Sequence, residues 1–322
     1  MKMRVLITGG SGFIGSNLIS YLKLLKRFEI INIDVLSPLE VDQVEYWKNV
    51  NILSKNDLLQ AIRDFSPEYV IHLAARTDIK EKISNDYSVN VIGTQNIIDI
   101  CINEHSIKKV LFISSMLVCK VGHIPKRTDE YSADTLYGES KIKMEELIRS
   151  KKLPWQWVIL RLTSIWGPGF KEPYRNFFDM VNKGKFLDVE NVYCTKTYGY
   201  IENTVYQILR ILESNSTNEK VYYLGDDPPI FISKWAREVS QELGKHSPIK
   251  VPFFVIKTFA VIGDIMSLIG IKFPMTSFRL KNMTTDNIIN LEELNNIAPN
   301  PPCTRIDGIR KTIKWLNYKE RI

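Results

Sequence analysis

Residues 3–15 read Met-Arg-Val-Leu-Ile-Thr-Gly-Gly-Ser-Gly-Phe-Ile-Gly, a short apolar run followed by closely spaced glycines. The run Val5–Ile7 predicts a strand, and the apolar spacing that begins at Phe13 predicts a helix. Glycine in the intervening turn lets the backbone approach a ligand, and the amides that open the helix favour an anion. We therefore expect a bound diphosphate in this strand–turn–helix unit. The residues predicted to contact it are Gly9, Gly12, Phe13, Ile14 and Gly15.

The next apolar run adds a clue to the identity of the ligand. Phe28–Ile33 predicts a second strand, which is followed by Asp34. An acidic residue about 20 positions beyond the last glycine typically binds the 2′-hydroxyl of an adenine ribose. Its charge would repel a 2′-phosphate, and residues 35–40 contain no arginine that would reverse this preference. We predict NAD rather than NADP as the cofactor; the alternative is that Asp34 only caps a loop.

Composition limits the class of protein. The chain has 322 residues, of which 44% are hydrophobic and 25% charged, and this predicts an ordinary globular protein with one large or two interlocked domains. The net charge of +7 is modest, and the lysines and arginines are scattered. Because no array of basic and aromatic residues is present, we expect no nucleic-acid partner.

The cysteines and histidines are dispersed along the chain. The spacing of the four cysteines predicts no disulfide framework, and neither residue type is spaced as in a zinc site, so we expect no metal. The sequence Met-Lys-Met-Arg leads directly into the first strand without the pattern of a signal peptide. Together these features predict a reduced, cytoplasmic location.

Strand and helix patterns alternate through the first half of the chain. Further strands are predicted at Val50–Leu53, Tyr69–Leu73, Val110–Ser115 and Trp157–Leu162, and helices at Leu58–Phe65, 87–103 and Thr135–Ser150. Such alternation is typical of βαβ units. We predict an α/β fold with a Rossmann-type doubly wound parallel sheet, in which the ligand lies beyond the carboxyl ends of the strands.

The second half of the chain is less regular. We predict a dinucleotide-binding domain over residues 1–165, with later returns near 188–205 and 220–225. Residues 166–322 are expected to form mainly a smaller, interleaved C-terminal lobe that binds substrate. A strand is predicted there at Val221–Leu224, and helices at Ile232–Leu243 and 306–316.

One segment of this lobe, 251–271, is rich in Phe, Ile, Val and Met. Lys257 and Asp264 interrupt it, and central charges are costly in a membrane-spanning helix. We therefore expect no integral membrane segment. Association with a membrane surface is a second interpretation, and a helix that covers a substrate pocket is the favoured one.

A possible catalytic group follows the fifth major strand. Tyr137 and Lys141 are four residues apart on a predicted helix and so share one face. A neighbouring ammonium and a positively charged nicotinamide lower the pKa of a phenol from its usual value of about 10. Tyr137 could then exchange a proton with a carbinol or ketone oxygen.

Ser115 is the third member of this group, because it ends the strand Val110–Ser115 and can donate a hydrogen bond to the reacting oxygen. The alternatives are a surface helix pair for Tyr137 and Lys141 and a strand-end cap for Ser115. Ser114 is expected to contact the nicotinamide or to have a structural role.

Together these motifs resemble those of the extended short-chain dehydrogenase/reductases, which include nucleotide-sugar epimerases, dehydratases and ketoreductases. The glycine turn, the segment His72-Leu-Ala-Ala75 and the set Ser115, Tyr137 and Lys141 carry the resemblance. The resemblance implies a substrate lobe that binds a sugar nucleotide and a homodimer formed by the helices at about 87–103 and 136–150. It also implies cofactor contacts at Asn51, Ile52, Leu73, Ala74, Ala75, Asn90, Ser114, Tyr137 and Lys141, with Asn51 and Ile52 at the adenine and Lys141 at the nicotinamide ribose.

Departures from the family pattern narrow the function. Met116 and Leu117 stand where dehydratases carry an acid, so water elimination is not expected. Ser164 replaces an asparagine that contacts the nucleotide phosphate in the family. An arginine that also contacts phosphate is absent, and Lys196 is the candidate to replace it.

The favoured function is therefore an NAD-dependent 4-epimerase of a nucleotide sugar. An NAD(P)H-dependent 4-ketosugar reductase is one alternative. A dehydrogenase of a hydrophobic, sterol-like alcohol is another, and the apolar segment 251–271 favours it. A non-catalytic NAD-binding regulator is disfavoured because Ser115, Tyr137 and Lys141 are all present.

Overall fold

The structure, a computed structural model, describes residues 2–78, 87–172, 175–271, 273 and 275–319. Its strands are β1 (Met3–Thr8), β2 (Phe28–Asp34), β3 (Trp47–Asn49), β4 (Tyr69–His72), β5 (Lys109–Ser115), β6 (Gln156–Leu162), β7 (Ser164–Trp166), β8 (Leu187–Val189), β9 (Thr195–Lys196), β10 (Tyr198–Tyr200), β11 (Lys220–Leu224), β12 (Ile230–Phe231) and β13 (Ile249–Val251). Its helices are α1 (Phe13–Leu24), α2 (Lys55–Phe65), α3 (Ser88–Cys101), α4 (Leu136–Arg149), α5 (Arg175–Asn182), α6 (Ile201–Glu213), α7 (Ile232–Glu242), α8 (Phe253–Leu268), α9 (Ser277–Thr284), α10 (Glu292–Ile297) and α11 (Arg305–Lys319).

Seven strands form a parallel central sheet in the order β11-β6-β5-β4-β1-β2-β3. The chain starts in the middle with β1, moves outward to β3, and crosses back to β4 before it continues to the other edge. This crossing places a topological switch point between β1 and β4, where ligands of doubly wound sheets bind. The predicted Rossmann-type sheet is confirmed.

The sheet is covered on both faces because its strands alternate apolar side chains between two cores. Val5 and Ile7 of β1 belong to one core, which includes residues of α1 and α6. Leu6 belongs to the other, which includes residues of α2, α3 and α4. The continuous apolar runs in the sequence therefore reflect burial on two sides.

The predicted third strand is wrong in position. The sequence predicts a strand at Val50–Leu53, whereas β3 is Trp47–Asn49. The side-chain oxygen of Asn51 accepts a hydrogen bond from the Leu53 amide at 2.9 Å. This local turn leads the chain into α2, because an asparagine side chain can replace the neighbouring backbone as an acceptor.

The C-terminal half is built from helices and short two-stranded sheets, which pair β10 with β7, β12 with β9, and β13 with β8. β11 returns to the central sheet beside β6. The proposed division into two domains stays a prediction. In the part of the chain that the structure describes, no helix is both long enough and apolar enough to span a bilayer.

Candidate active site

The glycine turn is packed tightly against the end of β4. Gly9 has φ +71°, and a Cβ there would lie 2.6 Å from the Ala74 nitrogen. A Cβ at Gly15 would lie 2.5 Å from the Gly10 Cα, where α1 crosses the turn. Larger residues would therefore push the turn away from β4 and α1. The predicted strand–turn–helix unit is present.

The N-terminus of α1 suits an anion. Its N-cap residue is Gly12, which has no capping side chain, and no acidic residue lies in the first turn. The positive end of the helix dipole is thus not neutralised by the helix itself. Gly12, Phe13 and Ile14 are placed as a diphosphate site requires, and their contact with the cofactor stays a proposal.

Asp34 lies at the end of β2 and contacts the same turn. One carboxylate oxygen accepts from the Ser11 amide at 3.0 Å, and the other accepts from the Leu36 amide at 2.9 Å. A carboxylate has about four acceptor positions, so capacity is left for ribose hydroxyls. Asp34 therefore does cap the neighbouring loops, and this capping does not exclude the predicted binding of the ribose.

Asn51 and Ile52 lie in different environments. The Asn51 side chain is exposed, whereas Ile52 is buried beneath α3. A Cβ at Gly93 would lie 2.3 Å from the Ile52 Cδ1, and Asn96 donates to the Ile52 carbonyl at 2.9 Å. The Ile52 side chain thus has a packing role, and the predicted adenine contact of these two residues stays a prediction.

His72 links β1, β4 and α3 through a buried chain of hydrogen bonds. The Thr94 hydroxyl donates to the Asn90 carbonyl at 2.7 Å, so it must accept from the His72 Nε2–H at 3.0 Å. His72 Nδ1 then accepts from the Thr8 hydroxyl at 2.7 Å, and the Thr8 oxygen accepts from the Ala74 amide at 3.2 Å. Every donor in the chain meets an acceptor when the imidazole is neutral.

Burial and the nearby Lys141 ammonium support that neutral form, because together they lower the pKa of His72 to about 3. The chain also positions the predicted cofactor segment. Leu73 donates its amide to the Thr8 carbonyl at 3.0 Å, and Leu73, Ala74 and Ala75 are half-buried where β4 ends beside the glycine turn.

Asn90 is buried, and its side-chain amide is used by the protein. Its oxygen accepts from the Arg76 amide at 2.8 Å, and its nitrogen donates to the Arg76 carbonyl at 3.1 Å and to the Ser140 hydroxyl at 2.9 Å. Ser140 in turn donates to the Tyr137 carbonyl at 2.7 Å. Asn90 therefore joins the loop after β4 to α4, and its direct contact with the cofactor stays a prediction.

Ser114 and Ser115 point to different surroundings, as successive strand residues do. The Ser114 hydroxyl is buried and donates to a Glu145 carboxylate oxygen at 2.5 Å. The Ser115 hydroxyl accepts from the Leu117 amide at 3.1 Å, so its own proton is available to another acceptor. The Ser114 hydroxyl thus has a structural contact, and its predicted contact with the nicotinamide stays a prediction. The Ser115 hydroxyl can still donate its proton.

Tyr137 and Lys141 lie on one face of α4 against β5. The Lys141 ammonium is 6.0 Å from the centroid of the Tyr137 ring and donates to the Ile113 carbonyl at 2.7 Å. A Cβ at Gly138 would lie 2.2 Å from the Leu117 carbonyl oxygen, so α4 begins in contact with the loop after Ser115. The structure thus places the first turns of α4, with Tyr137 and Lys141, against the strand that ends at Ser115, and the catalytic roles of the three residues stay a prediction.

The electrostatics of Lys141 match a functional role. Burial lowers the pKa of its ammonium to about 8, and the charge of Glu145 opposes this shift. An ammonium has three donors, and that of Lys141 donates to the Ile113 carbonyl and, at 3.8 Å, to the Met144 sulfur. A ribose or phenol oxygen could take the remaining donor.

A buried ion pair that we did not predict holds α4 to the sheet. Arg161 of β6 donates to both carboxylate oxygens of Glu145, at 2.9 and 2.7 Å, and both side chains are fully buried. Tyr131 donates to the same carboxylate at 3.1 Å, and Arg161 also donates to the Tyr223 hydroxyl at 2.8 Å. Burial alone would lower the pKa of Arg161, but the hydrogen bonds and charge of Glu145 raise it above its ordinary value.

Two sequence signals could have indicated this pair. Glu145 follows Lys141 at the helical spacing of four, and Arg161 is a lone charge inside the apolar strand β6. Asn32 is a comparable case: it is a buried polar residue of β2, and it donates to the Ser11 hydroxyl at 3.0 Å beneath the glycine turn. Among the residues that the structure describes, no group of three or more His, Cys, Asp and Glu side chains could hold a metal.

Comparison with known sequences agrees with this geometry. The model of the NAD dependent epimerase/dehydratase family matches residues 5–225. An N-acetyl-α-D-glucosaminyl-diphospho-ditrans,octacis-undecaprenol 4-epimerase of Escherichia coli O157:H7 is 26% identical, with 98% of this chain and 96% of the relative covered. A UDP-glucose 4-epimerase of Vibrio cholerae is also 26% identical, over 97% and 95%. A 3β-hydroxysteroid-dehydrogenase/decarboxylase of Arabidopsis thaliana is 26% identical, over 97% and 79%.

Solved structures share the fold over the whole chain. A UDP-glucuronic acid 4-epimerase of Bacillus cereus in complex with NAD has a TM-score of 0.76 at 19% identity, with 98% of this chain and 99% of that chain covered. A dTDP-glucose 4,6-dehydratase of Bacillus anthracis in complex with NAD has a TM-score of 0.75 at 19% identity, over 99% and 98%. The family match covers more than half of the sequence, and the chain therefore belongs to the NAD-dependent epimerase/dehydratase family.

Proposed function

We propose that this protein is an NAD-dependent 4-epimerase of a nucleotide sugar. The observation that carries the proposal is the packing of α4, which bears Tyr137 and Lys141, against β5, which ends at Ser115. Lys141 is bonded to the Ile113 carbonyl at 2.7 Å, which fixes the Tyr137 face of α4 beside the strand that ends at Ser115. The relatives named as 4-epimerases support this assignment, since they match nearly the whole chain.

The residues present fit NAD. The helix end at Gly12 would bind the diphosphate, Asp34 the adenine ribose, and Lys141 the nicotinamide ribose. When bound, NAD would supply a reversible hydride acceptor for the sugar carbon. The fit rests on the uncapped N-terminus of α1 and on the spare acceptor capacity of Asp34.

The chain's own residues would handle the proton. Tyr137, as phenolate, takes the proton of the sugar hydroxyl and later gives it back to the ketone oxygen. Lys141 stabilises the phenolate, and the Ser115 hydroxyl donates to the reacting oxygen. The expected outcome is inversion of the sugar carbon with no net redox change.

Lys196 is our candidate for the phosphate of the substrate. It lies on β9 in the C-terminal half and is 9% exposed, and burial lowers the pKa of its ammonium. Among the described residues this ammonium forms no ion pair, although the charge of Asp286 partly opposes the effect of burial on its pKa. A buried cation that forms no ion pair would be stabilised by an anionic ligand. The role of Ser164 in substrate binding rests on its position in the family motif and stays a prediction.

Several other reactions are compatible with the family. Relatives and structural neighbours include dehydratases, but here the residues after Ser115 are Met116 and Leu117, which cannot protonate a leaving hydroxyl. We therefore propose that the protein is not a dehydratase. A 4-ketosugar reductase and a dehydrogenase of a sterol-like alcohol stay as alternatives; the steroid dehydrogenases among the relatives favour the latter.

A second candidate substrate is a sugar joined by diphosphate to a polyprenyl lipid. The Escherichia coli relative is named for such a substrate, and α8 presents exposed apolar side chains that an enzyme for purely aqueous substrates would not need. The reaction at the sugar would be the same. Only the group beyond the diphosphate would differ.

The experiment that tests the function measures cofactor and turnover together. Purified protein is denatured, the supernatant is assayed for NAD, and the native protein is incubated with UDP- and dTDP-sugars and with a polyprenyl-diphosphate sugar. Epimerised sugar without net consumption of NAD or NADH is expected. Stoichiometric consumption of NADH or NADPH with a 4-ketosugar would instead establish the reductase, and oxidation of a sterol would establish the dehydrogenase.

Oligomeric state is a separate proposal. We propose a homodimer formed by α3 and α4, which lie side by side on one face of the sheet. Ile92 of α3 is half exposed there, which is consistent with a partner surface. Light scattering of the purified protein would give the mass directly, and a monomer at micromolar concentration would refute the proposal.

A further inference from the structure

The solvent-facing side of α8 is apolar, unlike that of an ordinary surface helix. Phe254, Val261, Ile265 and Leu268 follow one another at spacings of seven, four and three residues, which places them on one side of the helix. Leu268 is 87% exposed and Phe254 is 70% exposed. The other exposed apolar residues of the segment are Phe253, Phe259, Ile262, Ile269 and Ile271.

The opposite side of α8 attaches it to the protein. Ile256 and Ala260 are buried in a small core with Val189 and Leu280. A Cβ at Gly263 would lie 1.7 Å from the Met275 carbonyl oxygen, so the segment before α9 contacts the helix backbone directly. The packing of α8 on the protein thus does not use the apolar residues on its outer side.

The sequence around α8 is basic. Between residues 245 and 281 the sequence contains six lysines and arginines but only one acid, Asp264. Asp264 is already used, since it accepts from the Ser277 amide at 3.0 Å. Lys250, Lys257 and Lys281 are exposed. Apolar side chains with cations around them suit a surface that is both apolar and negatively charged.

The same face is connected to the candidate active site. α9 packs on α8, and the residues that follow α9 reach the loop after Ser115. Asn287 accepts from the Gly122 amide at 3.4 Å, and its nitrogen lies 3.5 Å from the Met116 sulfur. The helix α8 therefore belongs to the part of the C-terminal half that contacts the loop after β5.

We propose that the outer face of α8 docks on the surface of an anionic lipid bilayer. The apolar side chains would enter the boundary between headgroups and acyl chains, and the lysines would contact acidic headgroups. The docking is peripheral, because α8 has 16 residues and no described helix meets the requirements for spanning. This proposal does not depend on which sugar the enzyme converts.

A second copy of the chain is a weaker match to this face. A helix of this length presents a face about 24 Å long and about 10 Å wide, or roughly 240 Å² in projection. A standard interface buries about 800 Å² on each partner. The basic surroundings would also face each other across a two-fold axis and repel. A bilayer needs neither a large interface nor a complementary shape.

The test is sedimentation of the full chain with vesicles. We expect it to bind vesicles of phosphatidylglycerol and phosphatidylcholine, to bind pure phosphatidylcholine much less, and to release from the anionic vesicles as salt is raised. Equal recovery in the supernatant with and without anionic vesicles would overturn the proposal.

Matched variants assign the binding to α8. Leu268→Glu should weaken binding by about tenfold or more, since burial of one leucine is worth at least that factor. Leu24→Glu is the control, because Leu24 is 77% exposed and lies at the end of α1, in a different part of the chain from α8. Equal effects of the two substitutions, or none from Leu268→Glu, would refute docking through α8.

Charge reversal tests the electrostatic part. Lys257→Glu should weaken binding to anionic vesicles several-fold and leave binding to phosphatidylcholine little changed, while Lys152→Glu, another exposed lysine, should have little effect. Light scattering of the same samples excludes the competing occupant. The proposal would be overturned if the parent protein did not bind vesicles and formed a dimer that Leu268→Glu dissociates. That result would show that a second copy covers this face.

Discussion

Helices α4 and α8 solve opposite packing problems. α4 buries charged and polar groups, with Lys141 bonded to a β5 carbonyl and Glu145 held by Arg161. α8 buries few residues and leaves large apolar side chains in solvent. A buried charge without its partner lowers the stability of a protein. An exposed apolar face is tolerated in the folded chain and marks a site of association. Changes in α4 should therefore affect reaction and stability, and changes in α8 should affect association.

The largest effect is expected from Tyr137→Phe. Removal of the phenol oxygen takes away the proton acceptor, and turnover should fall by about 10²–10⁴-fold, the usual contribution of a general acid or base. NAD content after purification should stay near that of the parent protein, because the glycine turn and Asp34 are unchanged. The measurement is the rate of sugar epimerisation with the NAD content of the same sample; near-normal turnover would remove Tyr137 from the reaction.

The second prediction concerns the buried ion pair behind the site. Glu145→Gln leaves the Arg161 charge buried without its counter-ion, and the free energy of unfolding should fall by about 3–5 kcal/mol. Glu146→Gln is a matched control, because the next residue on α4 is exposed. Urea denaturation of both variants measures the difference. Equal stability of the two variants would mean that the pair contributes little to holding α4.

The third prediction concerns the pH dependence of stability, which His72 should give to the central sheet and not to α8. The pKa of His72 is about 3 in the folded protein and about 6.5 in the unfolded chain, so the unfolded state binds the extra proton as the pH falls below 6.5. His72 should therefore lower stability by about 1.4 kcal/mol for each pH unit below about 6, on the way to pH 3.

Denaturation of His72→Gln at several pH values should show a correspondingly smaller slope, and the exposed His105→Gln should not. Because residues 253–284 contain no histidine, hydrogen exchange in α8 and α9 should not share this acid sensitivity between about pH 6 and pH 4, above the range in which the Asp264 carboxyl takes up a proton. A parent-like slope in His72→Gln would contradict the neutral buried imidazole.

The smallest effect is expected from Gly263→Ala. The added methyl group would overlap the Met275 carbonyl, so α8 and the segment before α9 must separate, at a cost of about 1–3 kcal/mol. Hydrogen exchange within α8 and α9 should become faster, while exchange in the central sheet should not change. Ser267→Ala, at an exposed position of the same helix, is the control. Faster exchange in both variants would argue against a specific contact at Gly263.

The sequence was sufficient for the central sheet because its signals are local. The run Val5–Ile7, the glycines that follow and the apolar strands around 70, 110 and 160 each predict an element without reference to the rest of the chain. The predicted third strand is wrong because β3 is short and only partly buried, and the turn at Asn51 outweighs the apolar residues Val50 and Ile52.

The parts that escaped prediction depend on contacts between distant elements. Glu145 and Arg161 meet only when α4 lies across β5 and β6, and neither residue type is expected in a core. Asn90 carries a family motif, yet only the structure shows that its amide serves Arg76 and Ser140. For α8, composition predicted an apolar helix, but not which of its sides would be left in solvent.

The contacts of Asn90 have a mechanical consequence. One amide group clamps the backbone at Arg76 and, through Ser140, the carbonyl of Tyr137. The loop after β4 and the helix that carries Tyr137 are thereby coupled through a single side chain. Under the proposed function, a displacement of this loop during exchange of the dinucleotide would shift α4 and take the phenol of Tyr137 out of line with the substrate.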